Sequence, residues 1–130
     1  MATSKVYVNK AATTVEQWEI AALTTAPATL RTSTGKLKYL ILDNTLNAAT
    51  TYFKLYNKAS APVHATDSPD LVWPILAGKL RIIQLAAAAG EAASDEGETF
   101  ANGIHVCAST GKDTAGGSPA GSFNCTVGLI

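Results

Sequence analysis

The chain has 130 residues, of which 47% are hydrophobic and only 15% are charged. This length is typical of one domain, and the hydrophobic content is too high for a chain that stays unfolded. Ten basic residues balance ten acidic ones, and the basic residues form no cluster that could supply affinity for nucleic acid. The sequence therefore predicts a single folded domain, residues 1–130, that does not bind DNA or RNA.

The first residues lack the charged and then apolar pattern of a secretory signal, and no apolar run approaches the roughly 18 residues that cross a membrane. We therefore expect synthesis in a cytoplasm and no membrane partner. The two cysteines are too few for a disulfide-bonded scaffold and form no C-x-x-C pair. We expect no metal site and no cofactor.

Short runs of β-branched and aromatic residues recur between clusters of turn residues, which is typical of strands. The first two predicted strands are residues 5–9 and 15–20. A weaker candidate, residues 30–33, follows a stretch broken by Pro27. Residues 36–43 alternate at first and then become apolar on both sides, as in a strand that passes from an exposed edge into a covered centre.

The next predicted strand, residues 51–57, has a clear period of two. This period places Phe53 and Leu55 on one face of the strand. Ile41 and Ile82 also lie in the middle of apolar runs. We expect all four of these side chains in the core.

A loop without apolar periodicity, residues 58–70, is long enough to carry a binding surface. Residues 71–76 then form an apolar strand, which Pro74 confines to a sheet edge or a bulge because proline has no N–H to donate. Gly78 predicts a turn into the strand of residues 79–85. The two strands are expected to pair as a hairpin.

Residues 86–98 are alanine-rich and then acidic, so one or two helical turns and an irregular loop are both open. The last two predicted strands are residues 103–109 and 122–129, joined by a loop at 110–121. The apolar final residues, 129–130, are expected to lie in a sheet or against a neighbouring subunit. The nine candidate segments, one of them weak, predict an all-β fold, a jelly-roll-like antiparallel β-sandwich of about eight strands.

The sequence offers little for catalysis, because neither His64 nor His105 lies in a recognisable motif. We expect His64 to be exposed in its loop and His105 to pack between strands. The acidic residues 95–98 lack the ligand spacing of a calcium loop, and residues 116–119 lack the ending of a phosphate-binding loop. The sequence therefore predicts a protein that is not an enzyme.

Cys107 and Cys125 would lie nearly opposite each other in a hairpin centred on Gly116, which makes a disulfide geometrically possible. A register shifted by one residue pairs apolar side chains better. Together with a cytoplasmic origin, this favours two buried, reduced thiols.

The middle and end of the chain combine four motifs of turns and core strands: Tyr52 to Lys58, Thr66 to Pro69, Pro74 with Ile75 and Gly78, and Phe100 to Ile104. Over about residues 36–110, this pattern resembles small virion structural proteins of tailed bacteriophages, including cyanophages.

Phage proteins of this size are similar to capsid decoration or cement proteins, which bind the assembled major capsid protein as homo-oligomers. The resemblance implies a location in the virion after synthesis in the host cytoplasm. It also implies that the partners are the major capsid protein or another virion protein. The symmetry of viral shells favours a trimer.

Other functions remain open from the sequence. A tail, baseplate or head-fibre component would share the β architecture. A carbohydrate-binding module would need Tyr52, Tyr56 and Trp73 exposed on one surface, whereas packing in the core or a subunit interface is the expected role of aromatic residues. A small hydrolase is the least supported. The N-terminal strand and residues 129–130 are the candidate interaction arms, since a terminal strand can pair with a partner's sheet.

Overall fold

The computed structural model describes residues 2–10, 13–85 and 97–130, and within them it contains strands and no helix. In chain order, the strands are β1 (Ala2–Lys10), β2 (Thr13–Ala21), β3 (Ala28–Arg31), β4 (Gly35–Asp43), β5 (Thr51–Tyr56), β6 (Leu71–Ile75), β7 (Leu80–Gln84), β8 (Glu98–Phe100), β9 (Ile104–Ser109) and β10 (Asn124–Leu129).

The strands form two antiparallel sheets packed face to face. The larger sheet has the order β1-β2-β10-β4-β7, and β8 pairs with β4 beyond the end of β7. The smaller sheet has the order β3-β9-β5-β6. Early strands pair with late ones, β2 with β10, β3 with β9, β4 with β7 and β5 with β6, which is the wrapped arrangement of a jelly roll. The predicted fold class is confirmed.

The core lies between the two sheets and is built from the inward-facing residues of both. Phe53 and Leu55 on β5 are fully buried, as predicted from the strand period. The ring of Phe53 lies 6.0 Å from that of Trp73 on the neighbouring strand and 6.3 Å from that of Phe123. Aromatic pairs at these separations stabilise the fold beyond what the burial of their area contributes.

The prediction that Ile41 and Ile82 belong to the core is wrong. Leu40 and Leu42 occupy the buried face of β4, so Ile41 between them points to the opposite face and is half-buried. Ile82 is paired with Ile41 across β4 and β7 and is 62% exposed. Paired residues share a face of the sheet, so one outward isoleucine places the other outward as well.

The predicted hairpin of the sixth and seventh strands is also wrong, because β6 lies in the small sheet and β7 in the large one. The buried amide of Asn44 fixes this crossing by donating to the carbonyl oxygens of Ile75 at 2.9 Å and Leu76 at 3.2 Å. Gly78 forms the expected turn with a positive φ of 71°. The edge position predicted from Pro74 is confirmed, since β6 is the outermost strand of its sheet.

The last two strands do not form a hairpin either. Strand β9 carries Cys107 in the small sheet and β10 carries Cys125 in the large one. Both thiols are free and buried, so the prediction of reduced thiols is confirmed although its hairpin geometry is not. The final residue pairs with β4, because Ile130 exchanges two backbone hydrogen bonds with Lys36.

Several strand boundaries also differ from expectation, since β1 and β2 extend beyond the predicted segments at both ends, and one strand was missed. The weak candidate at residues 30–33 begins earlier, as β3, and the short strand β8 was not predicted at all. Most of the segment predicted as helical turns or loop, residues 86–96 with Asp95 and Glu96, lies outside the described residues.

Candidate functional site

The outer face of the small sheet carries a cluster of polar side chains that is covered by two loops. The period of β5 directs Lys54 and Tyr56 away from the core, yet both are fully buried. Cys107 on β9 is the cross-strand partner of Lys54 and lies on the same face. The covering residues come from the loop of residues 57–70 and the loop of residues 110–123.

The Lys54 ammonium group joins both loops to the sheet. Its Nζ atom lies 2.9 Å from Nε2 of His64 in the first loop, and 2.6 Å from the carbonyl oxygen of Asp113 and 3.4 Å from that of Ala115 in the second. An ammonium group has three donors and no acceptor. His64 must therefore accept through Nε2 and carry its single ring proton on Nδ1.

Burial sets the protonation of these two groups. It lowers the pKa of Lys54, while the nearby carboxylate of Asp113 acts in the opposite direction. It also lowers the pKa of His64, and the positive charge of Lys54 lowers it further. A neutral His64 beside a charged Lys54 satisfies the hydrogen-bond geometry.

The remaining polar pair under the loops is Tyr56 with Cys107, whose hydroxyl oxygen and sulfur are 3.6 Å apart. Burial is the main cause that raises the pKa of both groups. The sulfur is therefore a thiol at neutral pH, and the thiolate that nucleophilic chemistry needs is disfavoured.

The sequence prediction is right for one of the two histidines and wrong for the other. His105 packs between strands as expected. Its Nε2 donates to the carbonyl oxygen of Lys58 at 2.8 Å, and its Nδ1 lies 3.0 Å from the hydroxyl of Thr29. The prediction that His64 is exposed is wrong, because its side chain closes over Lys54 and is only 8% exposed.

Lysine, histidine and cysteine together are the residue types of nucleophilic catalysis, and a lysine with a lowered pKa can react with carbonyl compounds. Here, however, the three donors of Lys54 are directed at three protein acceptors. Every buried side-chain nitrogen and oxygen among the described residues also has a hydrogen-bond partner. The cluster is built as a cross-link between the sheet and its two loops.

The aromatic residues considered for sugar binding do not share a surface. Tyr56 is fully buried under the loops. Trp73 is paired with Phe53 and packs against the core, on the face of the small sheet opposite to that of Tyr52. A stacking platform from these three residues is not formed.

A second candidate lies on the outer face of the large sheet, and we call it the β4–β7 surface. It consists of Ile41, Leu80 and Ile82. Leu80 is 52% exposed, and with Ile41 it lines a shallow depression of about 410 Å³. Asp43 stands at its rim, where hydrogen bonds from Thr45 hold the pKa of its carboxyl below the usual value. The surface is therefore apolar with a negatively charged border.

Two further exposed leucines lie in the turns at the end of β4 and β7 where Asp43 pairs with Leu80. Leu46 and Leu76 lie in two turns that hydrogen-bond to each other, because Gly78 donates its N–H to the carbonyl oxygens of Asn44 and Asn47. Both turns follow directly from the ends of β4 and β6. Four of the five large hydrophobic residues that are exposed in the described residues thus belong to this region, and such clustering marks interaction surfaces.

In the described part of the chain, no three His, Cys, Asp or Glu side chains are grouped so as to hold a metal ion. That part also contains no helix of the length and hydrophobicity needed to span a membrane. Comparison of the chain with family models, curated proteins and solved structures finds no match.

Proposed function

We propose that this chain is a structural protein of a tailed-phage virion, a capsid decoration protein that binds the assembled major capsid protein and stabilises the shell. The observation that supports it is the β4–β7 surface. Its isoleucine and leucine side chains project from regular strands, so they are held in place before any partner binds. A preorganised surface loses little conformational entropy on binding.

The fold adds support by analogy. Jelly-roll sandwiches are a common architecture of viral capsid proteins, although the same fold also serves lectins and cupins. Fold alone does not assign a function. The phage-like sequence pattern and an apolar binding surface on a rigid sheet favour the virion role.

The free energy available from the β4–β7 surface is small for each copy and adds up over many copies. Complete burial of a leucine or isoleucine contributes about 1.5–3 kcal/mol, so covering the exposed parts of Leu80 and Ile82 contributes about 1 kcal/mol or more each. A homo-oligomer, expected to be a trimer, repeats this contribution in every subunit. Binding only the assembled lattice then stabilises that lattice by mass action.

The test uses capsids assembled without this chain, to which purified protein is added. The unaltered protein should bind many equivalent sites and raise the temperature at which the shells release DNA. Ile82→Lys should weaken binding at least tenfold, because it places a charge in the apolar contact. Val63→Lys is the matched control, since Val63 is also an exposed aliphatic residue but lies in the loop of residues 57–70.

Location decides between the virion roles. Binding confined to the tail or its vertex would replace the decoration role with that of a tail, baseplate or head-fibre component. So would a deletion that abolishes host attachment and leaves the heat resistance of the shell intact. Light scattering measures the oligomer, and a strict monomer at high concentration would contradict the expected trimer.

A further inference from the structure

The contact between Lys54 and His64 joins a strand to a loop through two groups that can both carry a positive charge. Lys54 is fully buried, and its ammonium donates to Nε2 of His64 at 2.9 Å. This hydrogen bond exists only while His64 is neutral. A proton on Nε2 removes the acceptor and places two cations in contact under a covering of protein.

The charged and titratable groups around the contact do not offset a second positive charge. Tyr56 and Cys107 on the sheet are held neutral by burial. Asp113 in the loop of residues 110–123 raises the pKa of Lys54, so it stabilises the charge that Lys54 already carries. In the loop of residues 57–70, Asp67 is engaged by Lys58 at 2.7 Å. The two influences that act on the pKa of His64 are burial and Lys54, and both oppose its protonation.

We propose that Lys54 and His64 form an acid-sensitive clamp, which releases the middle of the loop of residues 57–70 from the outer face of the small sheet when His64 is protonated. The ends of this loop have other attachments. At one end, the carbonyl oxygen of Lys58 accepts a hydrogen bond from the ring of His105. At the other end, Asp70 donates its N–H to the carbonyl oxygen of Leu55 at 2.9 Å. The segment between them carries His64.

The released segment moves as a unit. Asp67 accepts a hydrogen bond from the N–H of Val63 at 2.7 Å, and Thr66 donates to the carbonyl oxygen of Val63, so the turn around His64 is closed on itself. The second loop stays in place, because the bonds from Lys54 to Asp113 and Ala115 do not involve the imidazole. Acid therefore opens one of the two loops.

The direction of the pH effect follows from linkage. The pKa of His64 in the folded protein lies below its ordinary value of about 6.5, so the unfolded chain binds the proton more readily. The clamp is complete at pH values above about 6.5. Its stabilising effect is lost progressively as the pH falls from there through the lowered pKa.

Two measurements test the clamp. The first is an NMR titration of the His64 ring in the unaltered protein, which should give a pKa below that of an exposed histidine. The second is modification of thiols by 4,4′-dithiodipyridine, which reacts in acid as well as at neutral pH. Opening at acidic pH should speed the modification of Cys107. The rate should rise about tenfold for each unit by which the pKa of His64 in the closed loop lies below its pKa in the open loop. Cys125, in the core between the sheets, is the internal control and should not change.

Two variants separate the clamp from general acid unfolding. His64→Gln keeps a carbonyl acceptor for Lys54 at every pH, so its Cys107 should show no acid-dependent increase. Lys54→Met removes the neighbouring cation, so the pKa of His64 should rise.

The proposal is overturned if His64 titrates at or above the ordinary value in the folded protein, or if His64→Gln opens with acid as the unaltered chain does. Equal acceleration at Cys125 also overturns it, since that would mean global unfolding. The titration in the unaltered protein decides the matter if a variant fails to fold.

Discussion

Truncating Phe53 to alanine tests the position of the core directly. The ring is fully buried between Trp73 and Phe123, and strand β5 is hydrogen-bonded on both sides, by β6 and β9. The backbone therefore cannot close the space that the ring leaves. Buried Phe→Ala substitutions cost about 3–5 kcal/mol, a large part of the roughly 5–15 kcal/mol that stabilises a typical domain. We expect a decrease in Tm of about 10 °C or more.

Ile82→Ala provides the comparison, because both residues lie in apolar runs and only one is buried. Ile82 is 62% exposed, so its truncation leaves no cavity and should cost less than about 1 kcal/mol in the isolated subunit. Urea unfolding measured in parallel on the two variants gives both free energies. If Ile82→Ala cost as much as Phe53→Ala, or if Phe53→Ala cost less than about 1 kcal/mol, the assignment of inner and outer faces would be refuted.

Three other substitutions or treatments have defined outcomes. Asn44→Asp should destabilise the fold by at least about 2 kcal/mol in urea unfolding, because it replaces a buried amide that donates to carbonyl oxygens by a carboxyl group that accepts. An unchanged free energy of unfolding would show that this amide does not stabilise the crossing between the sheets. Gly103→Ala should be poorly tolerated in thermal unfolding, since the added Cβ would lie 2.1 Å from a backbone carbonyl oxygen, whereas Gly117→Ala meets nothing within 4 Å and should leave Tm unchanged. At pH 8 Cys107 and Cys125 should resist Ellman's reagent until the chain is unfolded, because burial raises the pKa of Cys125 to about 12 and also raises that of Cys107; rapid labelling of the native protein would contradict their burial.

Local sequence patterns determined which segments are strands, with the exception of β8, and approximately where each of them begins and ends. The period of two along residues 51–57 was enough to place Phe53 and Leu55 in the core, because alternate side chains of a strand point to opposite faces. Pro74 gave an edge strand for an equally local reason, the missing N–H. The breaks at Gly78 and in the loops depended on turn chemistry, which is also local.

Tertiary structure alone decided which strands pair. Neighbouring strands in the sequence were expected to form hairpins, but β6 and β7, like β9 and β10, separate into different sheets because the chain wraps as a jelly roll. Pairing also decided the faces of Ile41 and Ile82. In a run that is apolar on both sides, the sequence cannot tell which side meets the core.

The Lys54 cluster shows the same division. The strand period correctly turned Lys54 away from the core, and an outward lysine would ordinarily be exposed. Its burial depends on the loops of residues 57–70 and 110–123, neither of which carries a periodic signal. The first loop must fold back over the strand it follows, and Asp113 in the second lies 59 residues further along the chain than Lys54. The alternation of side chains in a strand depends on neighbouring residues, so the sequence determined it. The covering of Lys54 depends on how His64 folds back over the strand and on how the loop of residues 110–123 packs there, so only the tertiary structure decided it.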